Sequence, residues 1–272
     1  MPAEQVTGKL QSGILNELSG AALSQRFANI LYVHNDSGDS SRFFAISPAG
    51  NLLCTYNFKG IAANGLGVQD CEDIAIGPGP DAAKSYVYLA DIGDNEGKRS
   101  SIQVYRITEP ELHEGIINTE ADVLTLEYPD KARDAETIMV DPVDRMLYII
   151  SKREDTAGIY RCSLDFQNKE AKPLELCGKL FLEGTGSKKW IVGGDISADG
   201  NSILLKTVSS VYYWKRSANE PVNATLQRKP VIQSAYKVHG QEEAITFTAD
   251  ANGYYILSEG RASSIYYYQL SN

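Results

Sequence analysis

Three stretches place acidic residues directly ahead of an apolar, β-branched run. They are "DCEDIAI" with Asp70, Glu72 and Asp73, "DAETIMV" with Asp134 and Glu136, and "QEEAITF" with Glu242 and Glu243. A carboxylate at a strand mouth can simply accept main-chain N–H groups from its neighbours. Three glutamates aimed at one point raise a different problem. At ~5 Å and an effective dielectric of ~20, each charged pair costs about 3 kcal/mol. A bound cation, a carboxyl kept protonated, or nearby Lys152, Arg153, Lys206 and Arg261 would have to offset that. The donors are oxygens, which suit Ca²⁺ or Mg²⁺ better than a transition metal. There are three histidines, His34, His113 and His239, and no HExxH pairing, so zinc is not expected. Glu72, Glu136 and Glu243 are therefore the expected metal ligands.

A second set of polar residues follows the strand-like runs. "HNDSGD" supplies His34, Asn35, Asp36 and Asp39; "DIGDN" supplies Asp91, Asp94 and Asn95; Lys152, Arg153, Glu154, Lys206, Glu259 and Arg261 end later runs. With a metal on the glutamates, Asp195, Asp36 or Asp91 is a candidate base and His34 or His239 a proton carrier. Lys152, Arg153, Lys206 and Arg261, with Glu259 and Asp91 beside them, are candidate contacts for an anionic ester or phosphoester. Asp39 and Asn95 read better as Asx-turn residues closing hairpins.

The elements that must carry these residues read as short strands. Sixteen tyrosines fall mostly in runs such as "SYVYLAD", "GYYILSEG" and "SIYYYQL", separated by turn residues. Aligning Ser19, Glu72, Glu136, Gly194 and Glu243 in one column gives five modules of roughly 50–60 residues, near the period of four-stranded propeller blades. The last module lacks a fourth strand, and the chain starts with a spare one, "VTGKLQSGIL". A five-bladed β-propeller closed by that N-terminal strand is expected, as a single domain over residues 1–272. A six-bladed ring is the alternative, if residues 108–130 hold an extra hairpin. In a propeller the strand mouths and the second-strand ends share one face, so both polar sets should converge on the axis.

Composition narrows the partners. The net charge of −9, with no basic stripe, argues against nucleic acid. No apolar run approaches the ~20 residues of a membrane span, and "MPAEQVTGKL" lacks the features of a secretory signal, so a soluble chain is expected. A small-molecule or glycan ligand on the axial face and a monomeric state are the default expectations. Cys54, Cys71, Cys162 and Cys177 show no CxxC spacing. Buried free thiols are expected, a Cys162–Cys177 cross-strand pair being the alternative. "NDS" at Asn35 and "NAT" at Asn223 fit the glycosylation sequon. No GxSxG, GxxxxGK[ST] or GxGxxG occurs, which leaves serine-hydrolase and nucleotide-loop chemistry without support.

The motifs "HNDSG", "DCEDIA", "YLADIGDN", "DAETI", "GGDIS" and "GQEEAI…LSEG" resemble those of a widespread group of mostly uncharacterised β-propeller proteins. More loosely, they are similar to esterase-like-phytase propellers. The resemblance implies an axial pocket, often with calcium, in a hydrolase or a binding protein. The chain departs from the looser relatives at Ser19 and Gly194, where glutamate would stand. Two functional readings follow: a calcium-supported hydrolase, with a glycosidase as variant, and a non-catalytic propeller that binds a glycan, peptide or small anion.

Overall fold

The computed structural model describes residues 4–165, 171–235 and 238–270. The strands form five sheets. Their innermost strands are Leu18–Leu23, Cys71–Pro78, Ala135–Asp141, Ile191–Ile196 and Glu242–Phe247, which define blades 1 to 5. Each inner strand packs against the next, and the fifth against the first, so the sheets close into a five-bladed β-propeller. Among the described residues helix is confined to one short α-helix, Val222–Gln227, and one 3₁₀ turn, Gly186–Lys189. No helix among the described residues is long and apolar enough to cross a membrane.

Closure works as the sequence suggests. Glu4–Lys9 pairs antiparallel with Ser264–Gln269 and supplies the outermost strand of blade 5. That joins the two ends of the chain and covers an edge that would otherwise expose a row of unpaired amides and carbonyls. The six-bladed alternative falls at residues 108–130. This stretch does hold two strands, but Gly115–Thr119 crosses to run parallel to Leu52–Phe58 in blade 1, while Asp122–Glu127 is the fourth strand of blade 2. In blade 4 the α-helix precedes the outer strand, whose pairing with Ser210–Lys215 spans Ile232–Ala235.

The core is divided among the blade interfaces. Tyr32, Phe43 and Tyr56 of blade 1 pack edge-on or stacked beside Val87 and Tyr105 of blade 2. Tyr148 and Ile159 of blade 3 meet Leu205 and Trp214 of blade 4. The tyrosine-rich runs are thus packing surfaces, each aromatic burying a large apolar area. All four cysteines are free. Cys162 and Cys177 lie on paired strands but not opposite one another: Tyr160 faces Leu176 and Arg161 faces Glu175. Asn35 is buried, its side-chain amide donating to the Ile14 carbonyl and to Asp39, so its sequon is a structural turn.

One irregularity positions the site. Every inner strand breaks register with its neighbour at its second residue or just after it, at Ser19, Glu72, Glu136–Thr137, Val192 and Glu243. A bulge adds a residue to one strand and re-aims its side chain. The column of mouth residues is therefore Ser19, Glu72, Glu136, Val192 and Glu243. The sequence alignment had Gly194 in the fourth place, two residues too far along, because it could not see the bulge.

Candidate functional site

The bulged glutamates of blades 2, 3 and 5 converge. Glu72, Glu136 and Glu243 are 3 %, 4 % and 8 % exposed, and each offers an oxygen within 4.8 Å of the others. Asp36, from the end of the second strand of blade 1, joins them on two sides. It groups with Asp70 and Glu72, and separately with Glu243 and Glu259. Six carboxyl groups thus occupy one mouth. Ser19 fills the blade 1 position and donates to the Glu72 carbonyl at 2.6 Å, with Glu243 Oε2 3.3 Å from the same hydroxyl oxygen.

Room for this cluster comes from Gly93. A Cβ there would lie 2.2 Å from Glu72 Oε1 and 2.4 Å from Asp70 Oδ2. The loop beneath is held by Asp91, which is fully buried, accepts the amides of Gln69 and Asp70 at 3.0 Å each, and pairs with Arg99 at 2.8 Å. Asp91 therefore positions the mouth and does not face the pocket; of the equivalent pair Asp36 and Asp91, only Asp36 does.

The cations are distributed differently from the expectation. Lys152 pairs with Glu136 inside the cluster. Arg153 instead takes Asp134 and Asn95, its guanidinium carbon 4.6 Å from the centre of the Trp190 ring. Lys206 is buried behind the mouth of blade 5, donating to the Glu242 and Thr207 carbonyls, and burial pulls its pKa down to about 8. Arg261 is exposed. One ammonium thus stands among six carboxyls. Four of the six carboxyls are pushed up. Burial, then the neighbouring Asp36, raises Glu72 well above the ordinary range. Burial first and Asp134 next raise Asp70. Asp36 is pushed up to about 6 and Glu259 to about 7, burial leading in both and Glu243 adding repulsion.

Three candidate catalytic residues stand outside the carboxylate cluster. His34 is buried against Gly20, its Nδ1–H donating to the Asn35 carbonyl at 2.8 Å, while Nε2 has no partner; burial lowers its pKa to about 4. His239 stacks on Tyr266 at 4.4 Å and meets Glu4 Oε2 at 2.9 Å, on the outer strands of blade 5. Asp195 lies at the opposite end of its strand from the mouth. It accepts the Thr246 hydroxyl and the Phe247 amide, both at 2.9 Å. Asp73, next to Glu72, likewise bridges strands by accepting the Ile74 and Ile138 amides at 2.8 and 2.9 Å. For Asp73 and Asp195 the blade-to-blade clasp is thus the role the geometry displays. Sequence reasoning did not single out Gly93, although the glycine of "DIGDN" was the available sign of a close approach.

The donor set fits a hard divalent cation. All donors are oxygens, and Glu136 Oε2 is buried with no hydrogen-bond partner. A buried, unpartnered carboxylate oxygen is costly unless something satisfies it.

No family model matches the chain, and no curated protein matches it either. Solved structures do. One is the complex of KlAtg21 with the coiled coil of AgAtg16: 12 % identity, 94 % of this chain and 67 % of that one, TM-score 0.44. Another, from Bacteroides fragilis, is described as a "putative 6-phosphogluconolactonase": 15 % identity, 98 % of this chain and 77 % of that one, TM-score 0.47. The five-bladed architecture stands on the strand pairing of the chain itself.

Proposed function

We propose that the axial mouth is a divalent-cation site, most simply for Ca²⁺, that supports hydrolysis of an ester or phosphoester. The observation that carries this reading is the meeting of Glu72, Glu136 and Glu243 within 4.8 Å, with Glu136 Oε2 buried and unpartnered. When bound, the ion supplies Lewis acidity toward an ester or phosphoester oxygen. The residues of the chain do the rest. Asp36, a carboxyl poised at about 6 beside the glutamates, is the candidate base for a water. Glu259, at about 7, is suited to hold a proton at neutral pH. Lys152 is the one cation in the cluster able to meet an anionic oxygen. Asp195, His34 and His239 have no part in this scheme. As a glycosidase, carboxyls this close would match the ~5–5.5 Å spacing of retaining enzymes better than the wider inverting spacing.

A second reading is favoured by the departure of those three residues from the mouth. The same face, stiffened by the ion, would bind a glycan or small ligand without turning it over. Melting with EDTA and then with added Ca²⁺, in wild type and Glu136→Gln, tests the ion. A rise confined to wild type supports it, and no response to any divalent ion removes it. Asp36→Asn then separates the readings over a panel of phosphoesters, lactones and glycosides. Turnover lost with binding kept marks an enzyme; binding with no turnover in wild type marks a binder.

A further inference from the structure

The face opposite the acidic mouth carries its own well. It has a volume of about 350 Å³, lined by Leu23, Ile76, Ile196 and Phe247, with Asp195 and Thr246 among its polar groups. Asp195 is the one ionisable side chain among the described residues lining it, and none of the ion pairs involves it. The Thr246 hydroxyl and the Phe247 amide hold its carboxylate in place at 2.9 Å each. Ser24, Gln25, Ser197 and Thr248 add neutral polar groups to the lining, and a cavity of this size with apolar walls, a few placed polar groups and one oriented charge is the usual form of a small-molecule site. Along the blade 5 inner strand, Phe247 is four residues from Glu243, about 13 Å at ~3.3 Å per residue, so the well and the acidic mouth are separate.

We infer that this well binds a small organic cation, an ammonium group attached to an apolar body, with Asp195 as its counter-ion. The chemistry selects the class. Leu23, Ile76 and Phe247 offer no polar partners to a strongly hydrated ligand. Burial raises the Asp195 carboxyl to about 7, so above that pH it is ionised and repels anions, and no ion pair among the described residues involves it. The other polar side chains of the lining are neutral, and a metal ion would need more carboxylate donors than Asp195 alone. The site does not depend on what the acidic mouth does.

Benzylamine, benzyl alcohol and benzoate serve as probes of one shape and three charges. Binding is read by ligand- and protein-observed NMR on the full chain above pH ~8, in EDTA and again with added Ca²⁺, and the Glu72→Gln variant reports any binding at the acidic mouth. Benzylamine is expected to bind about tenfold or more tighter than the other two, and Asp195→Asn to remove that preference. The asparagine still accepts from Thr246 and Phe247, which protects the fold. Ala198→Trp, which fills the exposed rim of the well, is expected to abolish binding while leaving Asp195 intact. Equal binding of the three probes, an unchanged Asp195→Asn, or benzylamine binding that Glu72→Gln abolishes and Ala198→Trp does not would each overturn the assignment.

Discussion

Replacing Glu72 by glutamine should stabilise the metal-free protein and remove its response to calcium. The three glutamate oxygens lie within 4.8 Å. At an effective dielectric of ~20, each charged pair costs about 3.5 kcal/mol, so ionised Glu72 faces about 7 kcal/mol from the other two, to which burial, Asp36 and Asp70 add and from which Lys152, paired with Glu136, subtracts. Taking up a proton is cheaper. For a glutamate with an ordinary pKa near ~4.3, protonation at pH ~7.5 costs about 4 kcal/mol. The metal-free protein should therefore hold Glu72 protonated, in keeping with its strongly raised pKa. Glutamine mimics that neutral form, and its amide can still donate to Asp70. In EDTA at pH ~7.5 the variant should gain about 1–4 kcal/mol, the upper end being the proton cost it no longer bears.

The sign is set by linkage. A carboxyl whose folded pKa is raised weakens the fold progressively as pH rises from the unfolded value toward the folded one. The advantage of Glu72→Gln should thus be absent below pH ~4 and grow above it. With Ca²⁺ at a hundred times its dissociation constant, wild type gains about 2.7 kcal/mol that the variant forgoes. Paired urea or thermal melts in EDTA and in Ca²⁺ read both effects. A variant less stable than wild type in EDTA refutes the repulsion argument, and an undiminished calcium response refutes the ligand assignment.

Three further outcomes follow from the geometry. Gly93→Ala places a Cβ 2.2 Å from Glu72 Oε1, and melts with and without Ca²⁺ should show the calcium response lost. His34 is lowered from 6.5 to about 4 by burial, so its contribution is present above pH ~6.5 and lost as pH falls toward ~4, by about 3 kcal/mol. In acid melts, wild type minus His34→Gln should show that slope, and parallel curves would contradict it. Deleting residues 1–9 removes the strand that closes blade 5 and bares the edge of Ser264–Gln269. Light scattering should report association, and an equally stable monomer would argue against the closure.

Architecture was legible in the sequence because repetition is a strong signal. Five alternating modules and a spare strand at the start left little choice but a ring. The glutamate column was legible for the same reason, and Glu72, Glu136 and Glu243 do meet. The second-strand ends were much less legible. Lys206 and Asp91 stand at such ends as expected, yet one reaches behind the neighbouring blade and the other folds under a loop. A sequence gives a residue's place along a strand; which side it faces depends on register.

The bulge is where that dependence becomes chemistry. Glu72 and Asp73 are adjacent carboxylates, and alternation alone would send them to opposite faces. The bulge at Glu72 turns it toward the axis, while Asp73 resumes the regular ladder and bonds the amide of Ile138 in the next blade. The same logic separates Val192 from Asp195. Both belong to the blade 4 inner strand, but the register break falls at the first. Asp195, three residues on, bonds Phe247 and opens onto the far face. The acidic motifs therefore carry two jobs that composition cannot separate: the bulged position gathers charge at the mouth, and the positions after it fasten blade to blade. Blade 4 has only the second, so the ring of glutamates, interrupted by the Ser19 hydroxyl in blade 1, has no polar side chain at all toward Val192 and the Trp190 loop. A substrate reaching the proposed ion would meet its least repulsive approach there, between Lys152 and the one mouth position without an acid or a hydroxyl.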